Sequence, residues 1–134
     1  MPYYHITDII NLPSIQEFGL GAKKGKGIDL DFSKKGMVYC IDFNPIPYLQ
    51  HDPCHGLNGD QMKLVHRICK YILTIQKRPS VTLAVLEFDI EPLIPDPSDE
   101  YVYIYYGTIQ NFHVNICKYV NYSFVSKKSI LSTI

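Results

Sequence analysis

The chain has 134 residues, the length of one domain, and its 46% hydrophobic content can fill a continuous core without disulfide or metal staples. Thirteen basic and thirteen acidic residues cancel, and Arg67 and Arg78 are the only arginines, which argues against a basic, bidentate surface for nucleic-acid phosphates. No apolar run approaches membrane-spanning length. The opening Met-Pro-Tyr-Tyr-His lacks the basic and apolar segments of a signal peptide, so Cys40, Cys54, Cys69 and Cys117 read as reduced thiols. The expectation is a soluble α+β protein of the cytoplasm, its own cell's or a host's, folded as a single domain over residues 1–134.

Tyr3 to Thr7 reads as a short strand leading into a helix that Asn11 caps, with Pro13 in the first turn where its missing donor costs nothing. Gly19 supplies the closing residue of that helix, and Leu20 folds back over its last turn. Residues Gly21 to Gly27, rich in glycine and lysine, form a solvated loop in which Lys23, Lys24 and Lys26 are candidates to touch a pyrophosphate. Gly36 to Ile41 is a compact apolar strand, stopped by Asn44-Pro-Ile-Pro47.

Asp60 to Lys77 is the clearest helix, with Met62, Val65, Cys69, Ile72 and Ile75 recurring at helical spacing before Pro79 ends it. Val81 to Ile90 is long enough and β-rich enough for a central strand, and Glu91 to Pro97 is an extended connector. Glu100 to Tyr106 is a further strand turned by Gly107-Thr108. Two short strands are expected within Phe112 to Ile116 and Val120 to Val125.

Three features occur in order: Tyr4-His5-Ile6-Thr7 followed by Asn11, Ile15 and Gly19-Leu20; the strand Gly36-Met-Val-Tyr39; and Glu100-Tyr101-Val102. Together they resemble the ADP-ribosyltransferase superfamily, in its poly(ADP-ribose) polymerase and diphtheria-toxin-like branch with a His-Tyr-Glu triad. One extra residue precedes Tyr39, and Asn44 to Pro79 shows little likeness. The resemblance implies two small facing β-sheets flanked by a few helices, with His5 and Tyr39 on neighbouring strands. It implies NAD+ as co-substrate, Glu100, His5 and Tyr39 as catalytic residues, and His5, Ile6, Thr7, Tyr39 and Tyr48 as the residues contacting NAD+.

The chemistry asks for such residues. Breaking the nicotinamide bond of NAD+ expels a neutral base from a pyridinium, so the leaving group needs no acid. The ribose, which develops oxocarbenium character, needs a carboxylate. Glu100 is suited to that role, Tyr39 to a flat wall for the nicotinamide ring with Tyr48 opposite, and His5 with Thr7 to fixing ribose hydroxyls. Taken alone, His5 is a structural histidine, Tyr39 a core residue and Glu100 a solvated carboxylate; the ordered set carries the functional reading.

The resemblance therefore implies mono-ADP-ribosyl transfer to a macromolecular acceptor, a protein rather than a nucleic acid, by a toxin, effector or phage-type protein that would have an immunity or antitoxin partner. Ser98, two positions before Glu100, stands where arginine-modifying families carry an acidic or amide residue. The alternatives are an NAD+ glycohydrolase, a non-catalytic NAD+ or ADP-ribose binding module, and an RNA 2′-phosphotransferase, for which two arginines are few. His51, Cys54, His66 and Cys69 have the spacing of zinc ligands, yet Cys69 falls on the apolar face of its helix, and no metal is expected.

Overall fold

A computed structural model describes residues 2–21 and 36–120. Their elements run β1 (Tyr3–Asp8), a 3-10 turn (Ile9–Asn11), α1 (Leu12–Phe18), β2 (Met37–Ile41), α2 (Ile46–Leu49), α3 (Gly59–Gln76), β3 (Ser80–Phe88), β4 (Ile94–Pro95), β5 (Val102–Tyr106) and β6 (His113–Val120). The glycine–lysine loop from residue 22 onward and residues 121–125 lie outside the described residues.

The six strands form one antiparallel sheet in the order β4-β5-β2-β1-β3-β6. Helices cover both faces, so the class is α+β. The expected pair of facing sheets is instead one continuous sheet, because Tyr4 pairs with Ile41 and joins β1 to β2. That junction is thin. β1 pairs with β3 from Tyr3↔Phe88 through Asp8↔Leu83, and β2 with β5 from Met37↔Tyr106 through Ile41↔Val102, whereas Tyr4↔Ile41 is the one residue pair between β1 and β2. The sheet is close to two three-stranded units held by a seam.

One face packs Tyr4, Ile6, Ile41, Leu83 and Val85 under α3 through Leu64, Val65, Cys69, Ile72 and Leu73. The other packs Leu20, Val38, Cys40, Leu86, Phe88 and Ile109 against Leu12 and Ile15 of α1. Leu83, Ala84, Val85 and Leu86 are successive and fully buried, as expected of a strand covered on both faces. Each such leucine or valine contributes about 1.5–3 kcal/mol by leaving water.

Helix α3 starts at a capping box, Asn58 accepting from the Gln61 amide at 2.9 Å and Gln61 returning the bond to the Asn58 amide at 2.9 Å. It ends on Lys77 with φ of 53° before Pro79. The expected capping by Asn11 is corrected: Asp8 accepts from the Ile10 amide at 3.1 Å and starts a 3-10 turn, while Asn11 donates its side-chain amide to Thr7 Oγ1 at 3.1 Å. Asn44 to Pro47 does not simply stop β2, since Pro47 lies in the first turn of α2, a position that tolerates proline. Of the two short strands expected near the C-terminal side, the first falls within β6, which runs on to Val120, and the second lies outside the described residues beyond that position.

Gly19 has φ of 92°, and a Cβ there would lie 2.6 Å from the Thr108 methyl, so only glycine fits where Leu20 bridges to Ile109. The two backbone bonds of that bridge, at 2.8 and 2.9 Å, return the chain to the sheet after α1.

Candidate functional site at the sheet seam

His5 lies mid-way along β1 and Tyr39 mid-way along β2, so they occupy neighbouring strands. Where the ladder between these strands lapses, His5 Nδ1 lies 2.8 Å from the Tyr39 carbonyl oxygen. A carbonyl only accepts, so Nδ1 carries the proton and neutral His5 keeps its lone pair on Nε2. Desolvation pushes the His5 pKa below the usual imidazole value, and the bond to Tyr39 opposes this in part. The ring is therefore a neutral acceptor with a fixed tautomer.

Alternation along the strands separates the two side chains. Tyr4 and Ile6 belong to the α3-side core and Tyr39 packs against it, whereas Cys40 belongs to the α1-side core and Tyr3 packs against that. His5, between Tyr4 and Ile6, thus shares the α1 side with Tyr3 and Cys40, and the Tyr39 ring leaves from the α3 side. Both border the seam, from opposite faces. Tyr48 lies with Tyr39 on the α3 side and meets His55 edge-on at 5.4 Å. Burial, then the neighbouring Asp96 and Tyr106, raise the Tyr39 phenol pKa.

Ile6 is buried in the core and Thr7 is buried and bonded to Asn11, so what they can offer a ligand directly is backbone rather than side chain. Glu100 is exposed in a turn two residues before β5, not at the first position of the strand. It is the best exposed of the expected catalytic residues. The next residue, Tyr101, has φ of 71°, a conformation that costs a non-glycine residue about 1–3 kcal/mol.

The sequence reading missed Asp42. The Asp42 amide continues the β2–β5 ladder by donating to the Tyr101 carbonyl at 3.2 Å, which brings residue 42 to the end of the sheet where Glu100 stands. Its carboxyl is raised above the usual range chiefly by desolvation and also by the charge of Glu100, while a hydrogen bond from Tyr103 opposes the shift. Tyr103 in turn meets the Tyr3 ring edge-on at 5.5 Å. Tyr103 pairs with Cys40 where β5 lies beside β2, a register that no local pattern in the sequence carries.

Both arginines are engaged within the fold. Arg67 pairs with Asp99 at 2.6 Å, and Arg78 lies 3.8 Å from the fully buried Asp8. The four cysteines are free thiols, and burial pushes the Cys40 pKa up to about 12, far from a reactive thiolate. Cys54 is exposed, Cys69 is buried and His66 shares a hydrogen bond with the Tyr119 hydroxyl at 2.8 Å; among the described residues no three His, Cys, Asp or Glu side chains converge as a metal site. No helix among the described residues is long and apolar enough to cross a membrane.

Compared with known proteins, the chain matches no family model, no curated protein and no solved structure. The chemistry of the seam has to be argued from its own residues.

Proposed function

We propose that the protein transfers ADP-ribose from NAD+ to a macromolecular acceptor, with NAD+ bound across the β1–β2 seam. The observation that carries this reading is the single paired position between those strands together with the His5 ring bonded to the Tyr39 carbonyl. His5 leaves the sheet on the α1 side and the Tyr39 ring on the α3 side, so this reading requires one extended ligand to reach both faces. Tyr39 and Tyr48 would wall the nicotinamide ring from the α3 side. Nε2 of His5, an acceptor, would hold a ribose hydroxyl. Glu100 would stabilise the positive charge that grows on the ribose as nicotinamide departs, and no proton need be delivered to the leaving group.

One observation favours NAD+ glycohydrolysis as a second reading: Glu100 is exposed, so water has access to it. The engagement of both arginines in ion pairs weighs against an RNA 2′-phosphotransferase. A protein acceptor, an immunity or antitoxin partner and a cytoplasmic setting belong to the same proposal. Incubation with NAD+ labelled in its ADP-ribose part, alone and with a cell lysate, separates the readings. A labelled protein band is expected; free ADP-ribose in its place means hydrolysis, and intact NAD+ under both conditions would remove the catalytic reading.

A further inference from the structure

Four observations bear on the residues flanking Glu100. On the N-terminal side, Asp99 receives the Arg67 guanidinium at 2.6 Å from α3. On the C-terminal side, the Tyr101 hydroxyl accepts from the Asn58 side-chain amide at 3.0 Å, at the start of the same helix. The Tyr101 ring also stands edge-on to Phe43, with ring centres 5.7 Å apart. Tyr101 holds φ of 71° throughout, and a backbone conformation of that kind persists only where the surroundings fix it.

The turn itself is closed by its own bonds. The Ser98 backbone amide donates to Asp96 Oδ1 at 2.9 Å, and the Asp96 amide donates to the Val102 carbonyl at 2.9 Å. An exposed glutamate in an unsupported turn would sample many positions. Here the residue before it and the residue after it are both tied to one 18-residue helix whose buried face is part of the core.

We infer that Arg67 and Tyr101, with Asn58, are positioning residues that fix the turn carrying Glu100 against α3, an inference that rests on Glu100 being the catalytic carboxylate. An exposed ion pair such as Arg67–Asp99, with side chains 62% and 35% exposed, adds little to stability, so its effect should be found in turnover. Displacing a reacting group by about 1 Å can cost on the order of 10²-fold in rate.

The experiment compares wild type with Arg67→Asp, Asp99→Arg, the double exchange Arg67→Asp/Asp99→Arg, Tyr101→Phe and Glu100→Gln. The readouts are nicotinamide release, NAD+ affinity and melting temperature. Arg67→Asp and Tyr101→Phe should each lower kcat by about tenfold, within the range a misplaced group produces. NAD+ affinity and melting temperature should stay near wild type, and the double exchange should recover most of the loss in kcat. Unchanged kcat in Arg67→Asp and Tyr101→Phe, beside a large loss in Glu100→Gln, overturns the clamp and leaves the catalytic reading intact. A kcat loss that the double exchange does not recover overturns it as well. Normal turnover in Glu100→Gln, or none in wild type, removes the catalytic role of Glu100 and the clamp with it.

Discussion

Strands β1 and β3 share six consecutive residue pairs, while β1 and β2 share one, although β1 is flanked by both in the same sheet. The difference follows from what each strand carries. The β1-β3-β6 unit has a run of buried aliphatic residues at its centre, and every position of β3 from Leu83 to Leu86 is covered on both faces. The β4-β5-β2 unit carries tyrosines: Tyr39, Tyr103, Tyr105 and Tyr106 are half-buried or exposed. A well-paired, apolar unit supplies the stability that lets the neighbouring unit keep polar rings and an incomplete ladder beside the seam.

The largest effect should fall on stability, in the first unit. Leu83→Ala empties a fully buried position and should cost about 2–5 kcal/mol in denaturant unfolding. A loss below 1 kcal/mol would mean that the centre of β3 is not the fold's support.

Glu100→Gln tests the second unit. Turnover of NAD+ should drop by about 10²–10³, as for loss of one preorganised electrostatic group. On the proposed reading the interaction is gained mainly in the transition state, so NAD+ affinity should stay within a few fold. The melting curve should hardly move, because the side chain is exposed. If it shifted as far as that of Leu83→Ala, the contrast between the two units would fail.

Tyr39→Ala should weaken NAD+ binding by about 1–3 kcal/mol, the range for removing an aromatic stacking partner, and Tyr39→Phe by much less. Calorimetry giving equal, small losses for both would return Tyr39 to a packing role on the α3 side.

The smallest effect concerns the seam itself. Burial lowers the folded-state pKa of His5 below its ordinary 6.5, so the unfolded chain binds a proton more readily than the native one. The stability that His5 contributes is present above about pH 6.5 and is lost as pH falls from there through the folded-state pKa. Melting temperatures of wild type and His5→Asn, compared from roughly one pH unit above that ordinary value to roughly one and a half below it, check the sign. The wild type should lose more on acidification, and parallel curves would show that His5 is not desolvated.

Much of the fold was legible where a single property repeats. The helical spacing of Val65, Cys69 and Ile72 gave α3, and the β-rich run after Pro79 gave β3. What escaped depended on pairing. The period of two in Tyr4-His5-Ile6 says that neighbours face oppositely, but only the Tyr4↔Ile41 register shows that His5 and the Tyr39 ring leave the sheet on different sides. Asp8 and Asn11 are both good helix starters, and the choice between them lies in how β1 ends against β3 at Leu83. Asp42 and Arg67 gain meaning only from partners about sixty and thirty positions away, Tyr103 and Asp99, a reach that no local pattern encodes.

Pro95 sits in the two-residue strand that ends the sheet beside β5. The Asp96 amide points inward, to the Val102 carbonyl, so the nitrogen of residue 95 faces outward. A proline there offers no donor to an incoming chain. At Pro95 the border of the tyrosine-rich unit therefore presents no backbone donor, which disfavours strand addition at that position beside Tyr103.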